Sequence, residues 1–171
     1  MRKMKKRLIY IRHADDDEKK PKMEHDPLVT EKGVKRCKKK AERLMKKYGE
    51  PSAIICSPMY RAKKTAKLLR KYAGLNIPIN VEKDVSRFFT GSESKKPEIL
   101  PVTKNLAPPI GETKEEFENR LKQHVKKMKK VKEEKGKVIW IITHAYIIKK
   151  IAEIMGRTVE DHLDYLDSYR M

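Results

Sequence analysis

The segment Arg7-Leu8-Ile9-Tyr10-Ile11-Arg12-His13-Ala14 decides the fold reading. Leu8 to Ile11 are four consecutive β-favouring apolar residues, and so short a run without polar alternation suits a strand buried on both faces. Such a strand belongs to a sheet with helices on either side. The run stops at Arg12-His13, so two polar side chains stand where the strand ends.

The rest of the chain extends this pattern. Asp15 to Asp26 shows no periodicity, carries Pro21 with Pro27 just beyond, and reads as a loop. From Val34 the apolar positions Val34, Cys37, Ala41, Leu44, Met45 and Tyr48 recur at helical spacing, with Thr30 upstream and Gly49 at the end. Ala53 to Cys56 is a second strand, stopped by Ser57-Pro58. Arg61 to Tyr72 is a second helix closing at Gly74, and Ile77 to Val81 is a weaker strand. Ser86 to Gly111, rich in Pro, Ser, Gly and Thr, reads as a long excursion facing the substrate, since loops of that length in compact domains are usually functional. Glu112 to Val131 is a long helix, Val138 to Ile142 the most hydrophobic strand, and Ile147 to Met155 a buried helix before Gly156. Arg157 to Met171 is a polar tail without a defined element. Strands alternating with helices predict an α/β fold in which residues 1–171 form one domain, a three-layer α/β/α sandwich around a mainly parallel central sheet.

Composition narrows the class. Of 171 residues, 43 are Lys or Arg and 24 Asp or Glu, a formal charge of +19, yet the apolar residues fall in periodic runs that argue against wholesale disorder. The longest apolar stretch, Val138 to Ile148, is interrupted by Thr143 and His144 and falls short of the ~20 residues of a membrane span. The basic start, Met1 to Arg7, is followed by too few apolar residues for a secretory h-region, and Cys37 and Cys56 form neither a Cys-x-x-Cys pair nor a zinc spacing. A reducing, cytoplasmic location is expected. The charge admits polyanions, nucleic acid among them, as partners, but aromatics are only 6%, no nucleic-acid motif appears, and the Lys pairs interleave with apolar helix positions as on a solvated helix face.

Ligands of open α/β sheets bind at the carboxyl ends of strands. The first strand ends in Arg12-His13, the second leads through Ser57-Pro58 to Arg61, and the last ends in Thr143-His144. Two Arg and two His converging there, without a carboxylate or thiolate, make a poor metal site. They make a good pocket for a tetrahedral dianion, because guanidinium forks bind phosphate oxygens and an imidazole can attack phosphorus.

Five segments, Leu8–Ala14, Asp26–Gly33, Cys56–Ala66, Gly111–Thr113 and Val138–Ala145, resemble in order the motifs of the histidine phosphatase superfamily, the phosphoglycerate mutase-like group. The resemblance implies that His13 is the nucleophile, becoming a phosphohistidine, and that Arg12, Arg61 and His144 cradle the phosphoryl oxygens. Ser57, Thr143 and Ala145 would shape the pocket, and Glu112 would orient ligands or complement a helix dipole. It implies no metal and no organic cofactor. Ala14 and Ala145 stand where the family usually has Gly. Arg87 stands where family members of this type usually carry a Glu general acid, and an Arg cannot donate a proton near neutral pH but can bind a second anionic group. Glu82, Asp84, Glu93 and the Asp15-Asp16-Asp17 run are the other acid candidates.

The functional expectation is a phosphatase acting on phosphomonoesters or other activated phosphates, borne by a small molecule or a phosphoprotein. A mutase-like phosphotransferase and a catalytically silent member that binds phosphate or a polyanion are the alternatives.

Overall fold

The computed structural model describes residues 7–23, 26–88, 111–132 and 136–171. Its strands are β1 (Arg7–Arg12), β2 (Asp16–Met23), β3 (Asp26–Val29), β4 (Ala53–Cys56), β5 (Ile79–Val81), β6 (Val138–Thr143) and β7 (Ser168–Arg170). Its helices are α1 (Glu31–Tyr48), α2 (Tyr60–Tyr72), α3 (Lys114–Lys132) and α4 (Ala145–Ile154). The main sheet runs β5-β4-β6-β1-β7, parallel throughout except for β7, which is antiparallel to β1.

Alternation along the strands divides the core into two layers. Ile9, Ile11, Ile54, Cys56, Trp140 and Ile142 pack with Cys37, Ala41 and Leu44 of α1 and Ala62, Ala66 and Leu69 of α2. Leu8, Tyr10, Ile55, Ile139 and Ile141 face the opposite way, onto Phe117, Leu121, Val125 and Met128 of α3 and Ile147, Ile148 and Ile151 of α4. The predicted α/β/α sandwich with a mainly parallel sheet is therefore the fold. No helix among the described residues is long and apolar enough to cross a membrane.

Two segments differ from expectation. Asp15–Asp26, read as a loop, contributes β2 to an antiparallel ribbon with β3, its register shifted on both sides of Pro21. A two-stranded ribbon is held by main-chain pairing and needs no apolar alternation, the one signal a sequence pattern offers for a strand. Arg157–Met171, read as a tail without structure, carries β7 and buries Leu163, Leu166 and Met171. Those three residues show no period because they serve different layers, Leu166 on the α1/α2 side and the other two on the α3/α4 side. Residues 89–110 of the excursion, Glu93 included, lie outside the described residues.

Local chemistry sets the helix starts. Thr30 caps α1, its hydroxyl accepting from the Gly33 amide at 3.1 Å, and Gly49 closes it at φ 83°. α3 begins at Lys114 because Thr113 and Glu116 cap each other: the Thr113 amide donates to Glu116 Oε2 at 2.6 Å and the Glu116 amide to Thr113 Oγ1 at 3.1 Å.

Gly33 sits where α1 crosses the strand-to-hairpin turn, and a Cβ there would lie 2.6 Å from the Asp15 carbonyl oxygen. In an open helix Gly→Ala adds up to ~1 kcal/mol of stability. Here Gly33→Ala is expected to lower it by about 1–3 kcal/mol through overpacking, read by urea denaturation. A variant as stable as the parent would show that the turn yields without cost.

Candidate active site

The parallel register brings three strand ends to one edge. Arg12 lies beside Thr143 and Cys56 beside Ile142, and the ladder continues past the apolar runs, the His13 amide donating to the Thr143 carbonyl at 2.9 Å and the Ser57 amide to the Ile142 carbonyl at 3.0 Å. α2 begins just beyond Ser57 and α4 just beyond His144, and neither has an acid in its first turn. Two helix N-termini thus add their partial positive charge at this edge.

His13 is 4% exposed and held at both ring nitrogens. Nδ1 lies 3.0 Å from the Ala14 carbonyl, which can only accept, so Nδ1 carries the proton and Nε2 the lone pair. Arg61 Nε donates to that Nε2 at 3.2 Å. Burial first, then the Arg61 charge, pushes the His13 imidazole down to about 3. It is therefore neutral at physiological pH, as an attacking imidazole must be.

His144 packs its ring 5.3 Å from that of His13. Ser57 Oγ accepts from the Met59 amide at 3.3 Å and lies 2.8 Å from His144 Nε2, a hydrogen bond in which either partner can donate. His144 Nδ1 and the donor Arg12 Nε are buried with no hydrogen-bond partner among the described residues, and with the Ser57 proton on Nε2 both nitrogens would donate to an anion. Burial, followed by the Arg61 and His13 charges, holds His144 well below its ordinary range, and Arg87 also contributes.

Three residues complete the pocket that no sequence motif announced. Thr65, one helical turn after Arg61, accepts from the Ala14 amide at 2.9 Å and donates to the Arg61 carbonyl at 2.7 Å, tying α2 to the turn after His13. Asp16, named only within an acidic run, lies 3.4 Å from Arg61 Nε and 3.9 Å from His13 Nδ1. Tyr165 places its ring 4.0 Å from the Arg12 guanidinium carbon and 5.7 Å from the His13 ring, and its hydroxyl donates to Asp16 at 2.8 Å. Tyr165 belongs to a strap whose Leu163 carbonyl accepts from Arg12 and whose Leu166 amide reaches the Arg12 and His13 carbonyls at 3.2 and 3.3 Å. Leu166 adopts φ 63°, a left-handed conformation that costs a branched side chain energy and that these contacts sustain.

The other predicted residues fall elsewhere. The Thr143 hydroxyl donates to the Val85 carbonyl at 2.6 Å and so fixes the segment leading to Arg87. Both Glu112 oxygens are taken by Arg120, at 2.6 and 2.8 Å, and Arg120 in turn donates to the carbonyls of Asp84, Ser86 and Arg87. Glu112 therefore anchors a loop, and the capping of α3 falls to Thr113 and Glu116. Glu82 pairs with Lys127 at 2.8 Å, and Asp84 lies in the short turn Lys83–Val85. Ala145 opens α4. Ala14 is fully buried and has no positive φ, so its methyl fits without the backbone strain that would call for Gly.

The family description "histidine phosphatase superfamily (branch 1)" matches residues 8–166. Among solved structures, a phosphoglycerate mutase from Bacillus anthracis is 16% identical, with a TM-score of 0.75 over 98% of this chain and 88% of its own. A mycobacterial glucosyl-3-phosphoglycerate phosphatase is 19% identical, with a TM-score of 0.69 over 96% and 90%. An alpha-ribazole phosphatase from Shigella flexneri is 17% identical, with a TM-score of 0.64 over 89% and 81%. At such identities the likeness is one of fold. No curated protein matches the chain significantly.

Two predictions follow from these contacts. The Glu112 and Arg120 side chains are 7% and 11% exposed, so Glu112→Ala strands a buried guanidinium and is expected to cost about 3–5 kcal/mol in chemical denaturation. A change within about 0.5 kcal/mol would instead mark Glu112 as dispensable for the loop. Acid stability tests the neutral imidazoles. His13 is depressed to about 3 and the buried His124 to about 4, so both stay unprotonated in the fold while the unfolded chain takes up protons below about 6.5. Stability is full above that pH and falls as pH drops from 6.5 towards 4, with a slope of up to ~1.4 kcal/mol per pH unit for each group. Thermal melts across this window should show the fall, and a flat profile would contradict buried neutral histidines.

Proposed function

The chain belongs to the histidine phosphatase superfamily, branch 1, and we propose that it is a phosphatase that hydrolyses phosphomonoesters and other activated phosphates through a phosphohistidine at His13. One observation carries this reading. The Ala14 carbonyl fixes the Nδ1 proton of a neutral, buried imidazole, leaving the Nε2 lone pair beside the Arg61 guanidinium. A phosphoryl group drawn in by Arg61 takes over the Nε–H that rests on that lone pair and so frees the pair to attack.

In the first step the Nε2 pair forms the N–P bond while the bond from phosphorus to the leaving oxygen breaks, and that oxygen departs with the electron pair. Arg12, Arg61 and the Nδ1–H of His144 balance the negative charge on the three equatorial oxygens. In the second step water attacks phosphorus, the N–P bond breaks, orthophosphate leaves and His13 regains its lone pair. Ser57 sets the His144 tautomer, and Asp16 with Tyr165 holds Arg61 and Arg12 in place.

The leaving oxygen decides the substrate. Arg87 stands at the position of the usual acid, and its charge reaches His144. Asp16 is already engaged by Arg61 and Tyr165, and Glu82 by Lys127. This supports a preference for leaving groups that need little protonation, such as aryl or N-linked phosphates on a small molecule or a phosphoprotein. Arg87 then meets a second anionic group of the substrate.

The test is orthophosphate release from p-nitrophenyl phosphate and from glycerol phosphate, with EDTA present, by the parent and by His13→Ala. Turnover of the aryl ester should exceed that of the alkyl ester by roughly 100-fold or more, the scale of general acid assistance. The variant should lose the activity together with an acid-labile 31P signal on the parent enzyme. A folded parent that releases nothing from either ester refutes the phosphatase reading. Phosphoryl transfer to an added alcohol in place of orthophosphate would replace hydrolysis by a mutase-type reaction.

A further inference from the structure

Outside the catalytic pocket, α1 and the strap enclose a groove of about 270 Å³, lined chiefly by Arg36, Lys39, Lys40, Arg43, Tyr165 and Asp167. α1 carries nine Lys or Arg against Glu31 and Glu42, so its cations have few partners on their own helix. Two of the four are built in. Arg36 grips both oxygens of Asp15 at 2.8 and 2.9 Å and reaches Asp164 and the Tyr165 carbonyl, and Lys40 donates to Ser168 Oγ at 2.8 Å. The other two, Lys39 and Arg43, are exposed, and neither forms an ion pair within the described residues. Two turns of helix separate Arg36 from Arg43, about 10 Å at 1.5 Å per residue, which exceeds the reach of a single tetrahedral anion.

We infer that this groove is a second anion site, distinct from the pocket at His13, that takes a short oligophosphate laid along α1. Arg43 presents a planar fork for paired phosphate oxygens, Lys39 and Lys40 add point charges, and Arg36 is fixed in advance by Asp15. Lys40 is pushed down to about 8 by burial, Asp167 opposing that shift and Lys47, Arg43 and Arg36 adding to it. The aromatic ring in the wall, Tyr165, is already committed to Arg12 and Asp16, so the groove offers no stacking platform for bases and a nucleic-acid strand fits it less well. The site stands whether or not His13 performs catalysis.

Inorganic tripolyphosphate titrated into the full-length His13→Ala chain, which has no nucleophile to consume it, tests this through 1H–15N amide shifts. The expected result is a saturable set of shifts over Arg36–Arg43 and Ser168, titrating separately from those at Arg12–Ala14 and Ser57, and orthophosphate roughly tenfold or more weaker at the groove amides. Lys39→Gln with Arg43→Gln, both on exposed positions, should weaken tripolyphosphate by about tenfold or more with an unchanged melting curve. Removing two charges from the exposed face of α3, Lys126→Gln with Lys130→Gln, should leave it unchanged. Three results would overturn the assignment: shifts confined to Arg12–Ala14 and Ser57, equal weakening by the α3 pair, or a single-stranded oligonucleotide that occupies the groove more tightly than tripolyphosphate.

Discussion

The chemistry of this chain depends on the parallel pairing of β1 with β6. Because the two strands run the same way in a fixed register, Arg12 and Thr143 end side by side, and the next residue of each strand is a histidine. The His13 amide bond to the Thr143 carbonyl carries the ladder one step beyond the apolar core, into the pocket itself. A slip of one residue would turn Ile9 and Ile11 from the α1/α2 layer to the α3/α4 layer and carry His13 to the wrong face with them. Core packing on both faces therefore guards the position of a single imidazole.

The electrostatics of the pocket rest on a tension that burial resolves. Guanidinium groups and helix N-termini suit a dianion, and the same positive field, acting with desolvation, keeps both histidines uncharged. In the proposed reaction one arrangement both draws in the phosphoryl group and readies the imidazole. Asp16 is the exception, a carboxylate with 5% of its side chain exposed beside Arg61. Its place is intelligible as alignment, since its charge holds the Arg61 guanidinium, whose Nε–H goes to His13, while the Tyr165 hydroxyl holds Asp16 in turn.

What the sequence disclosed and what it hid follow from the range of the contacts. Arg12, His13, Ser57 and His144 were legible because each stands directly after an apolar run, and strand ends are where such folds collect ligands. Arg61 was legible because it sits at a helix start just beyond one. Tyr165 was not, since it meets Asp16 across 149 positions and lies in a segment without periodicity. Glu112 shows the converse failure. A carboxylate in a recognisable triplet suggested a ligand, while its partner Arg120, on the adjoining helix, looked like one more cation among 43. Thr65 lies within the segment Cys56–Ala66, but nothing in that segment discloses its bond to the Ala14 amide.

The strap that seats Arg12 and His13 makes the site depend on contacts of long sequence separation. Arg12 ends β1 and His13 follows it, while the carbonyl that receives Arg12, the ring that covers it and the amide that bonds both residues come from positions 163–166, and β7 beyond them pairs with β1. A chain that has formed β1, α1, β4 and α2 still lacks the neighbours that orient Arg12 and His13. Contacts of such sequence separation form slowly, so the surroundings of His13 are expected to be completed late in folding, after the local helices and the first strand pairs.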